Sequence, residues 1–222
     1  MDIKILQGIK AAESAAGVVV IIDVLRACTT IPILLQQGVK SIIPVETLEE
    51  VSKYSRADYL LIGEVEDGKQ DTLFHYNNSP SEVLGKSMNG ADVILRSNNA
   101  TQAIAKARNA DEVLLASFLN AQAVAHYIRE RNPAVVSLVA LGRKGEPGLE
   151  DDLCAEVLQA EVLGLPYDFS AMEPRIQACD CAVLVRETLG KPQDVTMALE
   201  LNTSSIVPKV IRENEGFVII SI

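Results

Sequence analysis

Five short apolar runs in this chain each stop abruptly at polar residues of chemically useful kinds. Val18-Val19-Val20-Ile21-Ile22 ends at Asp23, and Val24-Leu25-Arg26 comes next. Tyr59-Leu60-Leu61-Ile62 ends at Gly63-Glu64, and Val93-Ile94-Leu95 ends at Arg96-Ser97-Asn98-Asn99. Val113-Leu114-Leu115-Ala116 ends at Ser117, and the run from Val135 to Leu141 ends at Gly142-Arg143-Lys144-Gly145. A strand covered on both faces reads as a continuous apolar run. In open α/β sheets, ligands gather outside the carboxyl ends of such strands. The five endings are therefore the first candidates for a site.

Helical segments are expected between the runs. Thr30 can cap a short helix with Pro32 in its first turn and Gly38 after its end. Thr47 and Glu50 have the spacing of a capping box. Ala100 to Arg108 and Ala121 to Arg131 carry helical apolar spacing, and Leu153 to Leu163 comes after the acidic run Glu150-Asp151-Asp152. A further helix is expected from about Glu173 to Leu189. Residues from Gly63 to Pro80 lack periodicity and read as a long functional loop. Ile206 to Ile211 and Phe217 to Ile220, around Asn214-Glu215-Gly216, read as a hairpin. The alternation predicts an α/β fold, a mostly parallel sheet between helical layers. No linker or repeat divides the chain, so residues 1–222 are expected to form a single domain.

Charge and composition exclude some functions. A net charge of −10 argues against nucleic-acid binding, which rests on clustered Lys and Arg. It also obliges an anionic substrate to find local cations or a metal. The cysteines Cys28, Cys154, Cys179 and Cys181 have no zinc-knuckle spacing and read as reduced thiols of a cytoplasmic protein. Two histidines, His75 and His126, are too few for a His-rich metal site. The chain shows no secretory signal and no run near the roughly 18 residues of a membrane span. Its oligomeric state is left open, with a homo-oligomer admissible.

Each candidate has a bland alternative. Asp23 can bind Mg²⁺ or attack a phosphoryl group, and Arg26 can grip a phosphate. The two could equally form a structural ion pair closing the turn. A second Asp two residues after Asp23 would suit a haloacid-dehalogenase phosphatase, but Leu25 stands there. Glu64, at a second strand end, would complete a two-carboxylate Mg²⁺ arrangement, with solvated loop as its alternative. Ser97, Asn98 and Thr101 at a helix start suit an anion or plain capping. Ser117 and Asn120 lean towards capping. Arg143 could hold an anion between its glycines. Glu150 and Asp151 are either metal ligands or ordinary first-turn acids. Cys154 reads as a packed thiol.

In this order, these elements resemble the 2-phosphosulfolactate phosphatase, or ComB-like, family of coenzyme M biosynthesis. The matching residues are Ile22-Asp23-Val24-Leu25-Arg26-Ala27 with Thr29-Thr30, then Pro44-Val45 and Gly63-Glu64. Next are Asn78-Ser79-Pro80, Asn98 with Thr101, and Ser117-Phe118-Leu119-Asn120 with Ala123-Val124-Ala125. Glu150-Asp151 with Cys154-Ala155, and Ile206-Val207-Pro208, complete the set. The resemblance implies a three-layer α/β/α fold with a mixed, mostly parallel sheet. It also implies Mg²⁺-dependent hydrolysis of a small phosphorylated acid, 2-phosphosulfolactate first. Its carry-over puts the metal on Asp23, Glu64, Glu150 and Asp151, and chemistry on Asp23 and Arg26. The carry-over gives substrate contacts to Asn78, Ser79, Asn98, Thr101, Ser117 and Asn120, and the strand-end residues themselves add Thr29, Ser97 and Arg143. The family's Gly-Glu-Arg is Gly63-Glu64-Val65 here, its Thr-Asn-Gly-Thr is Asn98-Asn99-Ala100-Thr101, and a Gly after Cys-Ala is Glu156. His75-Tyr76-Asn77 replaces an Asp-x-Gly. These departures keep open a relative that binds a small anion without turnover, or one that hydrolyses another phosphate ester.

Overall fold

A computed structural model describes residues 1–213 and 216–222, and one sheet runs through it. Its strands are β1 (Asp2–Gln7), β2 (Gly17–Ile22), β3 (Ser41–Val45), β4 (Leu60–Gly63) and β5 (Asp92–Arg96). β6 (Ala110–Ala116), β7 (Val135–Ala140), β8 (Pro208–Glu213) and β9 (Gly216–Ser221) complete it. The helices among the described residues are α1 (Ala27–Gln36), α2 (Leu48–Val51), α3 (Pro80–Val83), α4 (Ala100–Lys106) and α5 (Ala121–Arg131). The later ones are α6 (Leu149–Leu163), α7 (Phe169–Gln177), α8 (Asp180–Val183) and α9 (Pro192–Ala198).

The strand order is β1-β7-β2-β6-β8-β9-β3-β5-β4. β1, β7, β2 and β6 are mutually parallel, as are β3, β5 and β4. The antiparallel hairpin β8–β9 joins the two blocks. Three successive antiparallel pairings make the blocks run in opposite senses.

The pleat explains the layers. Val18, Val20 and Ile22 point into one core with α5 and α6, while Val19 and Ile21 point into a second core with α1 and α4. Side chains of β5 (Val93, Leu95) share that second core with Ile21. The sheet therefore rolls around α1 and α4, which is how two opposed blocks deliver their carboxyl ends to one place. A third cluster (Val45, Val51, Leu61, Phe74, Ile94) covers the outer face of the β3-β5-β4 block. The architecture is a three-layer α/β/α fold on a mixed sheet. Each fully buried Ile or Leu contributes about 1.5–3 kcal/mol, so the many in these cores can carry several costly polar groups at the strand ends.

The five apolar runs are all strands. The Thr47–Glu50 capping box is present, and α5 has the expected bounds. Elsewhere the structure differs. Helix α1 starts at Ala27, three residues before Thr30. Thr29 Oγ1 instead donates to Val24 O (2.8 Å) and Thr30 Oγ1 to Arg26 O (3.1 Å), so both hydroxyls serve the first turn from inside. Helix α6 begins at Leu149 and takes the acidic run into its first turn, where the dipole favours it. The helix expected from Glu173 to Leu189 is divided. α7 starts at Phe169 behind an Asp168 cap, and Cys179 caps a new start at α8. Strand β1 and helix α9 carry no apolar run, and the short run Ile42-Ile43 of β3 is interrupted by Pro44. β1 is an edge strand with mostly exposed residues, and β3 contains Pro44 but meets β9 at one position, Ile42 with Ile219. The β8–β9 hairpin is formed, and its turn residues Asn214 and Glu215 lie outside the described residues.

Candidate active site

The carboxyl ends of β2, β4 and β5 meet at Arg26. The residue is 3% exposed, and four acceptors hold its side chain. Nη1 donates to Asp194 Oδ2 (3.1 Å), while Nη2 donates to Glu64 Oε2 (3.0 Å), Gly68 O (2.8 Å) and Asn77 Oδ1 (3.3 Å). A buried guanidinium needs such partners, because leaving it unpaired costs several kcal/mol. The two Nη2 hydrogens are taken up by Glu64, Gly68 and Asn77 and one Nη1 hydrogen by Asp194, which leaves the Nε hydrogen and one Nη1 hydrogen for a ligand.

Glu64 is fully engaged. Its Oε1 accepts from the N–H and Nδ2 of Asn98, both 3.1 Å, and Oε2 accepts from Arg26 and from Asn78 Nδ2 (3.4 Å). Gly63 precedes it because a Cβ there would stand 2.6 Å from the Phe74 ring and 2.8 Å from Arg96 O. The residue at that strand end must lack a side chain for Glu64 to reach Arg26. Asn78 Oδ1 and Arg96 Nε are buried without a partner among the described residues.

Asp23 is an acid with no cation paired against it among the described residues. It is 5% exposed, and burial, reinforced by Glu64 and Glu150, pushes it from its ordinary 3.8 up to about 7. The N–H groups of Ala27 and Ala100 oppose that shift. Asp151 accepts from Val24 N (2.8 Å) and Gly142 N (2.9 Å), so it ties the turn after β2 to the loop after β7. Gly142 fits there at φ +63, with Glu146 O 2.1 Å from where a Cβ would stand. Burial, then Glu150 and Asp23, push Asp151 well above the usual carboxylate range. Glu150 accepts from Cys179 Sγ at 3.3 Å. The thiols are poor nucleophiles. Burial raises Cys154 and Cys181 far above normal and Cys179 to about 12.

Other expected residues have protein partners, except Ser117, whose Oγ is buried without one among the described residues. Ser79 Oγ donates to Asp194 Oδ1 (2.8 Å). Ser97 and Thr101 bond to each other at the start of α4, with Thr101 Oγ1 to Ser97 O at 2.9 Å. Asn120 Oδ1 accepts from Ser117 N (3.0 Å), and its Nδ2 donates to Leu115 O and Ile206 O. Thr29 faces Val24 O. Arg143 is in the mouth of the site, paired with Asp67 at 2.7 Å. Two residues at the centre are not among the site residues the sequence points to: Asp194, which carries no mark there, and Asn77, which stands where the family has a Gly. Asp194 is fully buried and also accepts from Ser81 N (3.0 Å) and Ser81 Oγ (2.5 Å).

A cleft of about 400 Å³ is floored by Arg26, Glu64 and Asn98 with Arg143 and Lys144 at its rim, while Asp23, Glu150 and Asp151 lie outside its lining. Leu25, Leu184, Val185 and Leu189 give it an apolar wall. Among the described residues, no three His, Cys, Asp or Glu side chains converge as a ready metal cage. Mg²⁺ does not demand one. It is usually held by one or two carboxylates with water and substrate phosphate. Asp23 and Glu150 are hard oxygen donors, unpaired with any cation among the described residues, and they fit that requirement.

The acids also set a pH dependence. Below about pH 4, Asp23 is protonated whether the chain is folded or not. Between about 4 and 7, the unfolded chain releases the proton while the fold retains it, so unfolding gains. Above 7 both are ionised and the loss is complete. Metal-free protein is thus expected to lose a few kcal/mol from Asp23 across that window, read by urea denaturation at fixed pH steps. A flat profile would contradict the uncompensated burial of Asp23.

Known proteins match the chain across this whole arrangement. A family model described as 2-phosphosulpholactate phosphatase matches residues 3–213. A protein of Thermus thermophilus described as "Probable 2-phosphosulfolactate phosphatase" is 32% identical over 215 residues, covering 90% of each chain. Proteins of the same description from Thermoplasma volcanium and Caldanaerobacter subterraneus are 26% and 30% identical. They cover 94% and 90% of this chain, and 96% and 91% of their own.

Proposed function

Because the chain belongs to the 2-phosphosulfolactate phosphatase family, we propose that it hydrolyses 2-phosphosulfolactate to sulfolactate and phosphate with Mg²⁺. What supports this reading is the cleft floored by the clamped Arg26 and by Glu64, with Asp23, a buried acid raised to about 7 by burial and by Glu64, at the end of the neighbouring strand β2. The free N–H capacity of Arg26 binds phosphoryl oxygens and favours the charge that develops on them. Asp23 takes the proton from the attacking water at a carboxylate oxygen. The ester P–O bond breaks, and that proton goes to the departing alkoxide, so atoms and charge balance. Asp23 and Glu150 would hold Mg²⁺, which supplies charge neutralisation on the phosphoryl group. Glu64 and Asp151, whose oxygens already accept protein donors, orient Arg26 and the β2 turn. The apolar wall of Leu184, Val185 and Leu189 excludes bulk water.

The product is that of a coenzyme M-type step. Among the described residues no helix is long and apolar enough to cross a membrane, and all four cysteines are free and buried. The free thiols support a cytoplasmic setting. The test is phosphate release from 2-phosphosulfolactate and from a panel of small phosphorylated acids, with Mg²⁺ or with EDTA. Mg²⁺-dependent release from the first is expected. Release from another ester alone would change the substrate, and none from any ester in folded protein would leave only anion binding.

A further inference from the structure

The cleft has a second cationic place that the chemistry above does not use. Arg143 Nη2 and Lys144 Nζ both stand 2.7 Å from one oxygen, Oδ1 of Asp67. Asp67 sits at φ +60 in the short 3₁₀ turn Glu66–Gly68, and all three residues line the cleft. Side-chain exposures are 37% for Arg143, 61% for Lys144 and 31% for Asp67. Pairs this exposed are weak, so an incoming anion can exchange for the carboxylate. The same turn is fastened from below, where Gly68 O accepts from Arg26 and from Asn77 Nδ2. Position 65, just before that turn, is Val65, an uncharged side chain packed beside the cluster around Phe74. Arg143 and Lys144 are then the cations left at the rim for a second charge on the substrate.

We propose that Arg143 and Lys144 form a subsite for the carboxylate or sulfonate group of the substrate, and that Asp67 occupies it until substrate arrives. Asp67 sets specificity: it excludes mono-anions too weak to displace it and yields to a ligand already anchored by its phosphate on Arg26. This rests on the reading of the cleft as the substrate site.

The test uses inorganic sulfate as probe, titrated into the full chain and tracked by the amide NMR signals of Lys144 and Gly145. Asp67→Asn keeps the turn, since Asn tolerates a positive φ, and Asp67→Gly serves as a second variant that removes the side chain altogether. Both are expected to bind sulfate about 3- to 10-fold more tightly than the parent, the gain of freeing two exposed pairs. Arg143→Gln added to Asp67→Asn should abolish the gain. Unchanged or weaker sulfate binding in both single variants overturns the proposal. Sulfate tightening without phosphate release in the parent would sink the hydrolase reading alone, whereas phosphate release without tightening would sink the subsite alone.

Discussion

Asp23→Asn is expected to lower phosphate release by about 10²–10⁴-fold while making the metal-free protein more stable at pH 8. The two effects have one cause. In the fold Asp23 is buried against Glu64 and Glu150, and its charge has no paired cation among the described residues. Ionising it there is costly, and Asn removes the charge while keeping the shape and a carbonyl acceptor for the Ala27 and Ala100 N–H groups. The variant should therefore unfold at higher urea than the parent, and its loss of stability between pH 4 and 7 should flatten. A side chain kept for chemistry at the expense of stability behaves in this way. If Asp23→Asn were destabilising, the carboxylate would be a structural partner and not the reactive acid. Isothermal titration of Mg²⁺ in buffers of different ionisation enthalpy gives a second check. Protons should leave the parent on binding below pH 7, and fewer should leave the variant, in which Asp151 is the remaining raised acid.

Asp194→Ala is expected to cost about 3–5 kcal/mol of folding stability, the penalty for leaving a buried arginine half-paired. Asp194 accepts from Arg26, Ser79 and Ser81 and so joins α9, α3 and the β2 turn. Asp194→Asn retains an acceptor for the serines and should lose less. Its signature is functional: with Arg26 no longer held from behind, KM for the phosphate ester should rise more than kcat falls. Urea denaturation and steady-state kinetics of the two variants measure this. A loss under about 1 kcal/mol for Asp194→Ala would mean that Glu64, Gly68 and Asn77 suffice to hold Arg26.

Asp194 also marks the limit of what the sequence discloses. Its local context, Lys191-Pro192-Gln193-Asp194, reads only as a helix start, with Pro first and an acid in the first turn. Its role comes from donors 113 to 168 residues away, which no local pattern encodes. The five strand endings were legible for the opposite reason. An apolar run buried on both faces is a local signal, and the residues just after it must lie at the sheet's carboxyl edge. Periodicity foretold parallel strands but not the reversal between blocks, because β8 and β9 are ordinary hairpin strands wherever they insert. The side chains at Ser97, Thr101, Ser117 and Asn120 lie at helix starts, where capping and ligand binding use the same atoms. In the structure Ser97, Thr101 and Asn120 bond to protein atoms, while Ser117 Oγ is buried without a partner among the described residues.

The place of that hairpin has a consequence for how the molecule comes to exist. β8 and β9 are fifth and sixth in a nine-strand order, yet they are the last of these strands to leave the ribosome. Until they emerge, β6 and β3 are both bare edges, the kind of surface that recruits foreign strands. A nascent chain still lacking this hairpin is two half-sheets with no seam between them. Shortening this protein from its carboxyl end therefore removes the middle of the sheet, and aggregation during synthesis should track the completeness of residues 208–221 more closely than any change at the active site.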